Sequence, residues 1–138
     1  MKQVFVSALV LCCISLTAVA QSAGIYSSYL SGNRYDFKIS AEQLARTPVW
    51  ADDQDNPPLS PRAALKIGKA QLVKIFPDAD QWTNFNLELH RVSDRWIYLI
   101  SFTEPAPQDA MEHFTSPFRL PVLMNGDTIE PEISAWKN

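Results

Sequence analysis

The longest stretch of helical periodicity lies between Pro61 and Phe76. At about 100° per residue, Ala64, Leu65, Gly68, Leu72, Ile75 and Phe76 fall on one side. Ser60 is placed to cap free backbone N–H groups, Pro61 occupies the first helical position without losing a needed donor, and Pro77 halts propagation. The spacing predicts a helix over 61–76. Gly68 interrupts the stripe at about 1 kcal/mol relative to alanine, a cost that suits close approach of the backbone to a sheet.

Further along, the period changes to two. A turn at Ser93-Asp94 pairs Leu89 with Tyr98, Leu87 with Ile100 and Phe85 with Phe102, so that one face is wholly apolar. The opposite face sets Asn86, Glu88 and His90 against Ser101, Leu99 and Ile97. Asn125-Gly126 is a strong signal for a two-residue hairpin turn, and it pairs Val122 with Ile129, Leu120 with Pro131 and Phe118 with Ile133. Pro131 lacks the N–H a ladder needs, which makes the last strand an edge. One apolar sheet face is then ready to receive the helix stripe.

The expected fold class is therefore α+β, with one main helix packed on a mostly antiparallel sheet of about four strands. Ile97, Leu99 and Leu123 project from the other face, and the N-terminal extension, with Tyr35, Phe37, Ile39 and Trp50, is available to cover part of it. Within that extension Tyr35, Phe37 and Ile39 alternate as a strand does, and Ser40 with Gln43 fits a capping box for a brief helical turn that ends before Pro48. Residues 21–33, rich in Ser, Gly and Tyr, read as a flexible lead-in. The polar, proline-terminated run from Asp52 to Pro58 reads as a linker between the extension and the main domain.

Residues 4–20 carry no charge after Lys2 and close on Ala18-Val19-Ala20, the layout of a secretory signal peptide cleaved after Ala20. The implied organisation is a signal peptide at 1–20, an extension and linker at 21–58, and an α+β domain at 59–138. Export to the periplasm or beyond the cell follows, without stable membrane insertion after cleavage. Cys12 and Cys13 lie inside the removed segment, which excludes disulfides, thiolate metal sites and a cysteine nucleophile from the mature chain. With 12 Lys and Arg against 15 Asp and Glu, and a pI near 5.3, nucleic acid is an unfavourable partner.

The helix capped by Ser60, the hairpin carrying Trp96-Ile97-Tyr98-Leu99-Ile100 and the closing run from Val122 through Asn125-Gly126 to Ile129 resemble the PepSY-like domains of secreted and envelope bacterial proteins, over residues 59–133. The long N-terminal segment and the 13 residues from Glu104 to Ser116 depart from that family's pattern. The resemblance implies a small noncatalytic module that binds or restrains another protein, and it carries over no catalytic residue.

Candidate chemistry is sparse. His90 sits by parity beside Glu88 and Asn86, while Glu112 and His113, with Asp109 nearby, make an incomplete metal shell. Asp52, Asp53, Asp55 and Asn56 offer hard oxygen donors but lack the central Gly and late Glu of a calcium loop. Arg62, Lys66 and Lys69 form a basic helix flank, and Trp96 falls opposite Arg91 as a cation–π partner. No cofactor, metal or catalytic motif emerges. The expectation is an exported module that binds a protein or peptide, inhibitory or regulatory in role, through the loop 104–116 with Met111, His113 and Phe114 and through the edge strand with Ile129 and Ile133. The alternative is a small extracytoplasmic hydrolase using His90 or His113 with a carboxylate.

Overall fold

A computed structural model describes residues 21–105 and 116–137. The parity argument for the first hairpin holds through most of its length. In β3 (Thr83–Val92) and β4 (Arg95–Thr103), Leu89 faces Tyr98, Leu87 faces Ile100 and Arg91 faces Trp96 around a turn in which Ser93 takes a positive φ of 55°. Near the open end the register shifts between Asn84 and Asn86, so Asn84 rather than Phe85 stands opposite Phe102. One extra residue on β3 accounts for this, as in any β-bulge. β5 (Phe118–Leu123) adds to the other side of β4, giving the order β3-β4-β5.

The main helix, α2 (Pro61–Ile75), has its capping bond from the Ala63 N–H to the Ser60 hydroxyl, and Phe76 ends it as the C-cap. Its buried positions are Ala64, Gly68, Gln71 and Leu72. A Cβ built on Gly68 would lie 2.6 Å from Ile100 Cδ1 and 3.6 Å from side-chain atoms of Leu120 and Val122, so the glycine lets the helix backbone settle on the sheet. Gln71 was legible only as a helix position. In the fold it donates to Glu130 (3.1 Å) and accepts from the Thr128 hydroxyl (3.2 Å), tying the chain after β5 to the helix.

That tie helps to explain why the second expected hairpin does not form as read. Asn125-Gly126 does turn the chain, with Gly126 at φ 88°, but pairing stops at a single bridge between Val122 and Thr128. Pro131 cannot extend the ladder. The last strand, β6 (Glu132–Ala135), instead pairs with β2 (Asn33–Ser40), placing Ile133 opposite Tyr35 rather than Phe118. The described residues thus form two antiparallel three-stranded sheets, not one sheet of four.

Residues 21–33 are also ordered, contrary to their composition. β1 (Ser22–Leu30) pairs with β2 around Ser31-Gly32, whose φ values of 49° and 75° meet the demand of a tight hairpin turn. Ser40 and Gln43 form the expected capping box of α1 (Ala41–Ala45). The second sheet, β1-β2-β6, covers the face of the first that α2 leaves open. Ile97, Leu99 and Leu123 are buried there, and Tyr35, Phe37 and Ile39 enter the same core as Phe118. The run from Asp52 to Pro58 therefore connects two parts of one core.

Candidate functional site

Three places on this scaffold present chemistry. The first is a cleft of about 430 Å³ where β1 crosses the polar face of β3-β4-β5, lined by Ser27, Ser28, Tyr29, Asn86, Glu88, Ser101, Ser116, Pro117 and Arg119. Strand alternation delivers Asn86, Glu88 and His90 to one side of β3, and β5 brings Arg119 opposite Ser101. The Glu88 carboxylate is fully engaged. Its Oε2 meets His90 Nε2 at 2.9 Å and accepts from Arg119 Nη2 at 3.3 Å, while Oε1 accepts from Asn86 at 2.6 Å. The hydrogen bond to His90 above all, with the Arg119 charge and the Asn86 amide, holds the Glu88 carboxyl below the usual carboxylate range. Tyr26 stacks edge-on against His90 at 5.8 Å, and burial pushes its phenol up.

Beside this cluster, Ser28 bonds a strand edge. Its hydroxyl accepts from the Arg119 N–H (2.8 Å) and donates to the Arg119 carbonyl (2.9 Å), acting as the partner that β5 lacks on that side. Ser27 donates to Asp36 at 2.5 Å, and that bond, reinforced by Arg34, lowers the Asp36 pKa. Both hydroxyls are committed to structure, so neither is poised as a nucleophile for His90.

The second place is a corner between the loop after α1 and the start of β4. The indoles of Trp50 and Trp96 pack edge to face at 6.1 Å and 64°, and with Ala51, Asp52 and Gln54 they border an open corner of about 130 Å³. Trp50 Nε1 donates to the Gln54 carbonyl (2.8 Å), and Gln54 Oε1 accepts from the Ala51 N–H (3.2 Å). Arg91 lies 5.9 Å from the Trp96 ring centroid, the cation–π contact expected from the register.

The third is the rim of the second sheet. All four residues of β6 are exposed, Ile133 to 60%. Tyr29 and Trp136, each 43% exposed, pack ring to ring at 4.7 Å.

The expected contact residues divide among these surroundings. Ile133 lies on the exposed edge, whereas Ile129 is 3% exposed and belongs to the core, so it presents no surface to a partner. Met111, His113 and Phe114 lie outside the described residues, as do residues 1–20, for which a signal peptide is the expectation from sequence. His90 and Glu88 are brought together as parity required. Among the described residues no group of three or more His, Cys, Asp or Glu side chains could hold a metal ion, Asp52, Asp53 and Asp55 included. No described helix is long and apolar enough to cross a membrane. Sequence reasoning missed Ser28 and Arg119, because a serine-rich strand reads as a loop, and it missed the meeting of Trp50 with Trp96. Parity across β4 and β5 was the available signal for Arg119. Comparison of the chain with protein-family models, with curated proteins and with solved structures finds no match.

Proposed function

We propose that the chain is an exported, noncatalytic α+β module that binds an extended segment of a protein or peptide, with an inhibitory or regulatory role. The observation that carries this reading is the rim of β6. An exposed edge strand with Ile133 uncovered offers backbone groups for strand addition and an apolar side chain for specificity, while the Tyr29–Trp136 pair lies on the opposite face of the same sheet. The resemblance of residues 59–133 to PepSY-like modules supports the same class of role, and the uncharged leader 4–20 supports export. In the test, tagged mature protein captures its partner from an extracytoplasmic fraction, and capture is compared with that by Ile133→Lys. Wild-type capture lost in the variant, at an unchanged denaturation midpoint, supports the reading. Equal capture by both overturns the assignment to this edge.

A hydrolase remains the second reading, favoured by the 2.9 Å contact of His90 with Glu88 beside the cleft. With the Ser27 and Ser28 hydroxyls engaged elsewhere, it would rely on His90 activating water. Turnover of ester or peptide substrates that His90→Ala abolishes would favour it. Turnover indifferent to that change would remove it.

A further inference from the structure

The fold leaves hydrogen-bond donors unused in the cleft between β1 and the polar face of β3-β4-β5. Asn86, Ser101 and Arg119 stand opposite one another across β3, β4 and β5, so their side chains share one face of the sheet. Ser101 lines the cleft and is only 3% exposed, yet its hydroxyl has no hydrogen-bond partner among the described residues. A hydroxyl buried in that way is a cost to the fold that an occupant can offset. Among the same residues the Arg119 guanidinium makes one side-chain hydrogen bond, the 3.3 Å contact of Nη2 with Glu88, which leaves most of its fork of N–H donors free. We propose that the cleft binds a carboxylate, from a small organic acid or from the C-terminus of a peptide, with Ser101 and Arg119 as its donors. This site is independent of the β6 rim and of turnover at His90.

The uncommitted groups select the ligand class. A cation would need an acceptor, but the Glu88 oxygens already serve Asn86, His90 and Arg119, and Arg119 would repel it. A neutral ligand brings no charge with which to compete for the guanidinium. A dianion would face Glu88 with one arginine to offset both. A carboxylate brings one charge and two acceptor oxygens, which match the guanidinium fork and the Ser101 hydroxyl. Its entry costs Glu88 little, because the contact with Arg119 is the longest of the three and those with His90 (2.9 Å) and Asn86 (2.6 Å) remain. Tyr29 and Pro117 border the same cleft and give an apolar tail a wall, and about 430 Å³ is room for a small organic molecule. The site is also preformed. Ser28 bonds both the N–H and the carbonyl of Arg119, which fixes β5 against β1 and leaves little ordering for the ligand to drive.

The test follows the N–H signals of the purified protein by NMR at constant ionic strength. Benzoate and acetate are added, then tetra-alanine as the free acid and as its C-terminal amide, with benzylamine and inorganic phosphate as probes of other charge. At least one carboxylate should shift the backbone signals of Ser101 and Arg119 saturably and leave the Trp96 indole in place. Binding of benzoate or acetate alone identifies a free acid as the source, and binding of tetra-alanine but not of its amide identifies a peptide terminus; either supports the site. Ser101→Ala should weaken binding by about tenfold, equivalent to about 1.4 kcal/mol, with no fall in the denaturation midpoint, because the fold makes no bond to that hydroxyl. Arg119→Lys, which keeps the charge and loses the fork, should weaken binding as well. The proposal is overturned by the absence of a saturable shift with every carboxylate, by an amide that binds as tightly as the acid, or by phosphate or benzylamine binding more tightly than any carboxylate. A carboxylate affinity indifferent to both substitutions, or a lowered midpoint in Ser101→Ala, would overturn it too.

Discussion

The two sheets are built from similar numbers of residues and live in different surroundings. The sheet β3-β4-β5 is covered by α2 on one face and by the second sheet on the other, and its central strand buries six consecutive residues, Ile97 to Phe102. The sheet β1-β2-β6 has one buried face. Its other side carries Ile25, Tyr29 and Trp136 in partial exposure, together with the Arg34–Asp36 and Lys38–Glu132 ion pairs. Burial on both faces produces a continuous apolar strand, whereas burial on one produces alternation. Stability is therefore concentrated where the sheets meet, and the outer sheet is free to vary at its rim.

The largest expected effect breaks the junction itself. Phe118 has the rings of Phe76, Tyr35, Phe37 and Trp82 within 6.3 Å, and Phe118→Ala should cost about 3–5 kcal/mol in chemical denaturation. A loss similar to that of a surface substitution would mean that the sheets are not held there. Next, Gly68→Leu forces a side chain against Ile100 and should cost about 1–3 kcal/mol by overpacking; an unchanged midpoint would place Gly68 away from the sheet. Ser28→Ala leaves the Arg119 N–H without its partner, for a loss of about 1–3 kcal/mol, and Ser28→Thr, which keeps the hydroxyl, should recover part of it.

A pH titration sharpens the contrast. Burial raises the pKa of Tyr98, whose hydroxyl donates to the Leu59 carbonyl at 2.8 Å, and also that of Tyr26. The folded state thus favours the neutral phenols. Their contribution is fully present below the ordinary tyrosine pKa and is lost as pH rises through the raised values. Phenolate absorbance should appear at higher pH in the folded protein than in urea, and coincident curves would contradict the burial. The smallest effect belongs to the rim, where Ile133→Asn should change stability by no more than about 0.5 kcal/mol. A larger loss would show that β6 contributes to the core.

Much of the inner sheet was legible because its rules are local. Ser60 and Pro61 mark a helix start through bonds within a turn, and the pairing of Leu89 with Tyr98 follows from one tight turn and a period of two. The addition of β6 to the outer sheet obeys rules of longer range. Lys38 and Glu132, ion-paired across β2 and β6, are 94 positions apart, and nothing near Ile133 in the sequence tells which open edge it will join. β1 was hidden because its serines resemble loop composition, while one of them completes the edge of β5 from 91 positions away. The aromatic corner was illegible for a related reason. Trp50 sits in an irregular loop, and periodicity says nothing about where such a loop settles.

The joining of β6 to β2 carries a kinetic consequence. Closing a loop of that length must precede any reward from the pairing, so β6 contributes little until the chain has already found its overall topology, whereas β1 and β2 pair locally around Ser31-Gly32. The hairpin β3/β4 and helix α2, formed from near neighbours, can assemble first and present the surface onto which the distant strands dock. Nonlocal antiparallel pairing of this kind places folding in the slower range for small domains, on the order of milliseconds to seconds. During that interval Ile97, Leu99 and Leu123 remain uncovered, and the nascent inner sheet is most open to capture by chaperones or by other chains.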